Sequence, residues 1–190
     1  MFNFIFEKNL MIKSSFFITF LLILISVKSF AEIVLFVNGN SVTSLRFIGQ
    51  VQVTDGDTIR NGKLKIRLHG IDAPEFNQLC KKPYLTVFIF TFTKDYQCGK
   101  ISTEKLKKKI NDKLIKCKIL DIDRYKRLIG ECYKRNLNLN SWLVSNGYAV
   151  AYKKYSKKYI SDEINAKNKK IGIWQGKFEM PWDYRRKLNN

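Results

Sequence analysis

The sequence is poor in the residues from which most zinc and histidine-based sites are built. Its 190 residues include one histidine, His69, and four cysteines without a C-x-x-C pair. One histidine excludes a two-histidine zinc site, and the cysteine spacing argues against a zinc ribbon. Any catalysis is therefore predicted to use carboxylates, arginines and a hard metal ion.

Acidic residues are also scarce. The chain has 35 lysines and arginines against 16 aspartates and glutamates, which gives a formal net charge of +19 at pH 7. A polyanion is the expected partner, because each phosphate that a basic residue neutralises releases condensed counterions. Anionic lipid and cell wall are the alternatives.

The apolar run near the N-terminus is too short for an ordinary membrane-spanning helix. It covers Phe16–Val27, which is 12 residues, and Lys28 closes it. A spanning helix needs about 20 apolar residues. Basic residues precede the run, and Ser29 and Ala31 supply the small residues of a cleavage site, so residues 1–31 are predicted to be a signal peptide.

Removal of this segment would leave residues 32–190 as the mature domain, with a net charge of +17. The protein is then expected to be periplasmic or secreted, and the alternative is an inner-membrane anchor made by an uncleaved signal. Translation from either Met1 or Met11 is compatible with a signal of this kind.

The four cysteines are predicted to form two disulfides, because an exported chain matures in an oxidising compartment. The segments LIKCKILD and RLIGECY are predicted strands joined by a turn around Arg124. In a symmetric hairpin Cys117 faces Cys132, with Cα atoms about 4.5 to 5.5 Å apart. This leaves Cys80 to pair with Cys98, and four free thiols are the alternative.

Strands are predicted over Phe47–Val53, Thr58–Arg60 and Lys63–Asp72. The last alternates apolar and polar residues, as a half-buried strand does. The turn before it has two possible registers. A turn pair of Asn61 and Gly62 opposes Asp57 to Ile66, and a pair of Gly62 and Lys63 shifts the pairing.

Helices are predicted in the second half of the chain. Ser102 caps a first short helix, a second covers Leu139–Asn146 and stops at Gly147, and a third runs from near residues 156–161 to Gly172. This third helix is expected to place Tyr159 or Ile160, Ile164 and Lys167 on one face. Strands followed by helices indicate an α+β fold, with a small curved antiparallel sheet closed on itself.

An apolar segment, Tyr84–Phe92, contains no charged residue and is rich in β-forming residues. Exposed, such a segment would be prone to aggregation. It is therefore expected to pack against the barrel, and membrane contact is the alternative.

Three short segments concentrate charged residues: Asp55–Thr58, Arg67–Glu75 and Asp123–Arg127. Each alone is compatible with an ordinary turn. Their order and spacing together resemble the staphylococcal nuclease family from about Phe47 to Arg186. The resemblance extends to LNSWLVSNGYAVAY, KKIGIWQGKF and PWDYRR.

This resemblance implies a five-stranded OB-type β-barrel with about three α-helices. It also implies a calcium-dependent endonuclease that cleaves DNA and RNA, single strands preferred, with low sequence specificity and 3′-phosphate ends. No protein partner is implied, and the chain is expected to act as a monomer.

The resemblance also assigns the metal site. Asp57 and Asp72 match the family's calcium carboxylates. The backbone carbonyl of Ala73 matches a further ligand, and Asp55 matches a carboxylate that supports the ligands. A hard divalent cation prefers such oxygen ligands, and open positions leave room for phosphate and water.

Three residues match the family's catalytic groups. Glu75 corresponds to the residue that orients or deprotonates the attacking water, and Arg67 and Arg127 to the phosphate clamps. Guanidinium groups suit this role because their planar forks bind phosphate oxygens bidentately.

Four further residues are candidates for substrate binding. Tyr125 resembles the family's phosphate-contacting tyrosine, and Arg124 stands where a lysine is usual. Tyr152 and Tyr155 are candidates for base stacking, with core packing as the alternative. Lys126 replaces a family glycine, so a turn that needs positive φ would be strained there and would redirect Arg127.

A non-catalytic, secreted OB-fold module that binds nucleic acid is the competing hypothesis. Negative charge in a phosphate-binding groove weakens such binding. The presence of Asp57, Asp72 and Glu75 beside both arginines therefore favours an enzyme.

Overall fold

A computed structural model describes residues 32–38 and 41–189 of the chain, with side chains from residue 45 onward. The predicted signal peptide, residues 1–31, lies outside these described residues. In the described part, no helix has both the length and the apolar character needed to cross a membrane.

The described residues form twelve strands, four α-helices and one 3₁₀ helix. The strands are β1 Glu32–Asn38, β2 Ser41–Gly49, β3 Gln52–Asp55, β4 Thr58–Asn61, β5 Leu64–Leu68, β6 Ile71–Asp72, β7 Cys80–Val87, β8 Phe90–Tyr96, β9 Ile115–Ile122, β10 Leu128–Lys134, β11 Leu137–Asn138 and β12 Val150–Ala151. The α-helices are α1 Cys98–Ile110, α2 Leu139–Ser145, α3 Ile160–Asn168 and α4 Pro181–Leu188, and the 3₁₀ helix covers Gly172–Gln175.

The main sheet curls into an OB-type barrel. Its strand order is β1-β2-β9-β10-β5-β4-β3. Because only Gln50 and Val51 separate β2 from β3, the sheet must curve until these two strands meet. Counted as one bent strand, they form with β4, β5, β9 and β10 the predicted five-stranded barrel, and β1 is an addition. The α+β prediction is confirmed, but the sheet is mixed and not wholly antiparallel, because β5 and β10 pair in parallel.

Two strands that the sequence predicts as continuous are interrupted. Phe47–Val53 breaks at Gln50 and Val51, where the chain passes from β2 to β3. The strand Lys63–Asp72 ends at Leu68, because Gly70 adopts a left-handed φ of +72°. The chain then forms β6, which pairs with β12 instead of the main sheet. This break places Asp72 beside β12.

The register of the β4–β5 hairpin follows the turn Gly62–Lys63. Asn61 pairs with Leu64, and Thr58 pairs with Arg67. Gly62 has a φ of +55°, a left-handed conformation that glycine adopts without steric cost. Of the two predicted registers, the structure therefore selects the second.

Apolar side chains from the barrel and from α1 and α2 form the main core. Phe47, Ile59, Ile66, Leu106 and Leu143 are fully buried in it. Each such side chain contributes about 1.5 to 3 kcal/mol relative to an exposed position. Leu68 is buried and Leu64 half-buried, as the predicted alternation requires.

Both predicted disulfides are present. Cys117 and Cys132 are directly opposed across β9 and β10, with Cα atoms 4.0 Å apart. Cys80 and Cys98 join β7 to α1, with a Cα separation of 5.6 Å. The β9–β10 hairpin is symmetric at the disulfide, but a bulge between Ile129 and Gly130 shifts the pairing nearer the tip.

Two helix predictions are wrong in detail. Helix α1 begins at Cys98, and Ser102 lies inside it, where its buried hydroxyl donates to the Tyr148 carbonyl 2.8 Å away. Helix α3 ends at Asn168, short of the predicted end at Gly172. On its predicted face Ile164 is half exposed, and the buried residues of the helix are Glu163 and Ala166. The described part also contains α4, which makes four α-helices instead of about three.

The apolar segment Tyr84–Phe92 does not pack against the barrel, so that expectation is wrong. Strands β7 and β8 pair only with each other in a separate two-stranded sheet. Every residue from Pro83 to Asp95 is exposed. We call residues Cys80–Tyr96 the apolar hairpin.

Candidate active site

One cleft of about 1000 Å³ brings the predicted site residues together. The β3–β4 turn, the segment after β5, the tip of the β9–β10 hairpin and α4 contribute to its walls. The predicted residues that line it are Asp55, Asp57, Arg67, Ala73, Glu75, Arg124, Tyr125, Arg127, Tyr152 and Tyr155. Asp72 is fully buried and contacts two arginines of the cleft wall.

Arg67 joins the two predicted calcium carboxylates. From β5, its Nη1 donates to Asp57 Oδ1 and its Nη2 to Asp72 Oδ1, both at 2.6 Å. The second oxygen of Asp57 accepts the backbone N–H of Ala73 at 3.0 Å. Two buried carboxylates thus share one guanidinium that is itself mostly buried, an arrangement in which the charges compensate one another.

Arg185 is a site residue that the sequence reasoning missed. From α4, its guanidinium donates to both oxygens of Asp72, at 3.0 and 2.8 Å, and to Glu75 Oε1 at 2.7 Å. Arg185 lies more than 100 positions after its partners. The only sequence signal was the PWDYRR segment, to which the resemblance assigned no role.

The backbone around Glu75 is fixed from three directions. Its N–H donates to Gln78 Oε1 at 3.1 Å, and its carbonyl accepts the Gln78 N–H at 2.7 Å. Gln78 is buried and also donates to the Glu179 carbonyl. The start of α1 lies so close that a Cβ on Gly99 would collide with the Glu75 carbonyl oxygen.

Burial changes the protonation of the acidic residues. Burial, together with the smaller effect of the neighbouring Asp57 carboxylate, raises the pKa of Asp55 to about 7. Asp55 Oδ1 accepts the backbone N–H of Asp57 at 3.0 Å, so it supports that residue. Burial also raises the pKa of Asp72, although hydrogen bonds from Arg185 oppose this effect.

Asp123 holds Arg127 at the tip of the β9–β10 hairpin. Its Oδ1 accepts the backbone N–H groups of Tyr125 and Arg127, and its Oδ2 accepts Arg127 Nε at 2.7 Å. Burial acts to raise the pKa of Asp123, but these hydrogen bonds lower it overall. Lys126 has a φ of +62°, so the predicted strain is present, and Arg127 nevertheless lines the cleft.

Aromatic rings form one side of the cleft. The rings of Tyr152 and Trp182 are stacked with centroids 5.1 Å apart, and Tyr155 meets Tyr152 edge-on at 4.7 Å. Tyr155 is more than half exposed. Both tyrosines therefore lie in the cleft wall and not in the core.

At the hairpin tip, the guanidinium groups of Arg124 and Arg127 lie over the Tyr125 ring, 4.8 and 5.4 Å from its centroid. This places two cations next to an exposed phenol in the same lining. Such an arrangement is suited to an anionic, base-bearing ligand.

The donor chemistry fits a hard divalent cation. Asp57, Asp72 and the Ala73 carbonyl are oxygen donors of the type that calcium prefers. In the part of the chain that the structure describes, no three acidic, histidine or cysteine side chains converge as a ready-made metal cage. The carboxylates are held instead by the guanidinium groups of Arg67 and Arg185. These guanidinium groups supply positive charge next to the carboxylates, where a bound cation would add its own.

Comparison with known proteins identifies the family. The pattern described as staphylococcal nuclease homologue matches residues 65–176, more than half of the chain. This chain belongs to the staphylococcal nuclease family. The matched region contains Arg67, Asp72, Glu75 and Arg127, whereas Asp57 and Arg185 lie outside it.

Proteins from plants and bacteria are similar to it. A probable staphylococcal-like nuclease of Oryza sativa subsp. japonica is 34% identical over 137 residues, which cover 70% of this chain and 32% of the rice protein. An uncharacterized endonuclease of Haemophilus influenzae is 30% identical over 154 residues, covering 70% of this chain and 76% of that protein.

An uncharacterized endonuclease of Escherichia coli is 29% identical over 167 residues, which cover 83% of this chain and 97% of that protein. The chain thus spans about a third of the length of the rice relative and nearly all of the Escherichia coli relative.

Proposed function

We propose that this protein is a calcium-dependent endonuclease that hydrolyses phosphodiester bonds in DNA and RNA, with a preference for single strands and low sequence specificity. The observation that carries the proposal is the alternating row of charges Asp57, Arg67, Asp72, Arg185 and Glu75 beside the cleft. Membership of the staphylococcal nuclease family supports the same activity.

Asp57, Asp72 and the Ala73 carbonyl would hold the calcium ion, and Asp55 would support Asp57. When bound, the ion would supply positive charge to a scissile phosphate. Both oxygens of Asp72 now accept hydrogen bonds from guanidinium groups. A cation that binds at Asp72 would therefore share these oxygens with Arg185 or displace one of its contacts.

Glu75 is proposed to take a proton from the attacking water. Its side chain is 36% exposed, so water reaches it from the cleft. The water oxygen forms a bond to phosphorus as the bond from phosphorus to the 5′ oxygen breaks, which leaves a 3′-phosphate. The departing 5′ oxygen takes up a proton from solvent water.

Arg67 and Arg127 are proposed to bind the phosphate oxygens, on which negative charge accumulates during the attack. Arg127 reaches the cleft with Nε already held by Asp123, so its terminal nitrogens are oriented in advance. Oriented donors of this kind contribute about 3 to 4 kcal/mol each to lowering such barriers.

The aromatic wall is proposed to stack unpaired bases. Tyr155 exposes more than half of its surface next to Tyr152 and Trp182. Stacking on such rings tolerates every base, because each base has a π-face. A paired base is already stacked in its duplex, which favours single strands.

Export is proposed as well. The 12-residue apolar run before a small-residue site and the two disulfides both support it.

Digestion of labelled single-stranded DNA and RNA, with calcium or with a chelator, tests the activity. The wild-type protein is expected to cut both with calcium and neither with the chelator. Glu75→Gln should lower the rate by about 10²- to 10⁴-fold, because it removes the proton acceptor. Glu104→Gln is the matched control, since Glu104 is an exposed carboxylate on α1 outside the cleft lining.

Oligonucleotide binding by fluorescence anisotropy separates the two hypotheses. Glu75→Gln is expected to bind as the wild type does. A wild-type protein that binds oligonucleotide and cuts nothing with calcium would establish the non-catalytic module instead. Equal cutting with calcium and with chelator would refute the metal role.

A further inference from the structure

The apolar hairpin exposes large hydrophobic side chains that neither the core nor the cleft uses. Its turn residues Phe88 and Ile89 are 95% and 88% exposed, and Phe90 is 66% exposed. Leu85, Val87 and Phe92 are between 42% and 56% exposed. A contiguous apolar surface of this kind marks an interaction site.

The turn sequence is also costly. Phe88 has a φ of +51°, a region where glycine or asparagine costs least and a bulky residue is an outlier. A tight hairpin turn would ordinarily use Asn-Gly. The Phe88-Ile89 pair therefore adds to the exposed apolar surface, although it makes the turn less stable than Asn-Gly would.

The chemistry of the hairpin changes along its axis. Lys82 and Lys94 lie directly opposite each other in the hairpin register, near its base. Tyr84 comes next, its ring 4.8 Å from the Lys94 ammonium. No charged residue lies between Pro83 and Thr93, and the apolar side chains occupy the end. This order of cation, tyrosine and hydrocarbon matches the layers of an anionic lipid bilayer, from phosphate headgroup to acyl chain.

The only side-chain hydroxyl groups between Leu85 and Phe92 are paired. Thr86 and Thr91 lie opposite each other, with their hydroxyl oxygens 3.3 Å apart. This contact lowers the cost of moving them away from water. The apolar end, from Leu85 to the turn at Phe88, is about 10 Å long at the usual rise of a strand.

That length suits insertion into the outer part of one leaflet and not a crossing. The outer edges of a two-stranded sheet carry backbone groups without partners, and such edges are not tolerated deep in hydrocarbon. Only the turn and the adjacent pair Val87 and Phe90 would enter the acyl region.

The base of the hairpin is fixed to the domain. The Cys80–Cys98 disulfide joins it to α1, and the Lys81 N–H donates to the Lys177 carbonyl at 2.7 Å. No residue from Pro83 to Thr93 lines the cleft. The hairpin tip is therefore not part of the cleft wall.

We propose that the apolar hairpin inserts its tip into the surface of an anionic lipid bilayer and thereby holds the domain at a membrane. The net charge of residues 32–190, +17, favours the same surface. This proposal does not depend on the chemistry of the cleft, nor on what becomes of residues 1–31.

An environment-sensitive fluorophore at the tip tests it in the full chain. All four native cysteines are in disulfides, so Ile89→Cys would supply the only free thiol for an NBD label. Vesicles of phosphatidylcholine with phosphatidylglycerol should raise NBD emission several-fold and shift it to the blue, and phosphatidylcholine alone should do so much less. The same label on Lys108→Cys, an exposed position on α1, should change little.

A second substitution isolates the contribution of the tip. Phe88→Asp in the labelled chain is expected to abolish the rise, and Leu114→Asp, which alters an exposed leucine elsewhere, should leave it intact. Because the label reports the hairpin itself, attachment through another segment does not produce the signal.

No change at position 89 on anionic vesicles would overturn the proposal. A rise without vesicles that grows with protein concentration would overturn it in favour of pairing between two copies of the chain. Digestion of a soluble oligonucleotide by Phe88→Asp is expected to equal that of the wild type, so failure here and failure of the nuclease proposal are distinguishable.

Discussion

At the scale of single residues, Arg185 connects two carboxylates for which the sequence predicts different roles. Asp72 is a predicted cation ligand, and Glu75 is the predicted acceptor of a water proton. One guanidinium donates to both, because its planar fork offers several N–H groups at once. These two carboxylates are therefore organised by an arginine from the last helix of the described chain.

Arg185→Gln is expected to lower the free energy of unfolding in chelator by about 1 to 3 kcal/mol, since buried Asp72 loses a charged partner. The same change should tighten calcium binding, because the cation no longer competes with the guanidinium. Denaturant unfolding and calorimetric calcium titration measure the two effects. Arg186→Gln is the matched control, as Arg186 pairs only with Asp183 among the described ion pairs and is 71% exposed. Unchanged calcium affinity would contradict the competition.

Asp55→Asn is expected to stabilise the protein in chelator at pH 8 by about 1 to 2 kcal/mol. Folding raises the pKa of Asp55 from 3.8 to about 7, so the buried carboxylate destabilises the fold increasingly between these pH values. The increase in stability that the amide gives should grow from about pH 4 to about pH 7 and stay constant at higher pH. Unfolding curves at several pH values measure it. A gain that is larger at pH 4 than at pH 8 would show that burial does not control this group.

At the scale of elements, the β9–β10 hairpin presents Arg127 to the cleft. The disulfide between Cys117 and Cys132 fixes its base, and Asp123 fixes its tip through three hydrogen bonds. Lys126, which lies between Asp123 and Arg127 in the sequence, adopts a left-handed backbone conformation. The hairpin thus keeps its geometry despite a residue that does not favour it.

Lys126→Gly is expected to raise the free energy of unfolding by about 0.5 to 1 kcal/mol, because glycine adopts this φ without steric cost. The nuclease rate should stay within about twofold, since Asp123 already orients Arg127. Denaturant midpoints and digestion rates measure these effects. A loss of stability would mean that the lysine side chain contributes more than its backbone costs.

At the scale of the whole molecule, positive charge dominates. The cleft lining contains several basic side chains, among them Arg124, Lys154 and Arg186. These lie on different elements, so they present an extended basic surface to a flexible polyanion.

Binding of a single-stranded oligonucleotide by Glu75→Gln is expected to weaken steeply with salt. Each phosphate contact contributes about −0.7 to the slope of log affinity against log salt concentration, so about four contacts give a slope near −3. Anisotropy titrations at several salt concentrations measure it, and the variant keeps the substrate intact. A slope near zero would show that stacking, and not charge, dominates the interaction.

The sequence was sufficient for both disulfides and, through its resemblance to the staphylococcal nuclease family, for the barrel and most of the charged residues of the cleft. Alternating apolar residues and hairpin symmetry are local features, so they can be recognised without a fold.

Three features depended on the tertiary structure. Gly70 interrupts a predicted strand and places Asp72 beside β12. Arg185 meets partners more than 100 positions away, and the hairpin around Phe88 projects from the domain. Contacts between distant segments form only when the chain folds, and an apolar pattern alone does not specify whether core, partner or lipid will cover it.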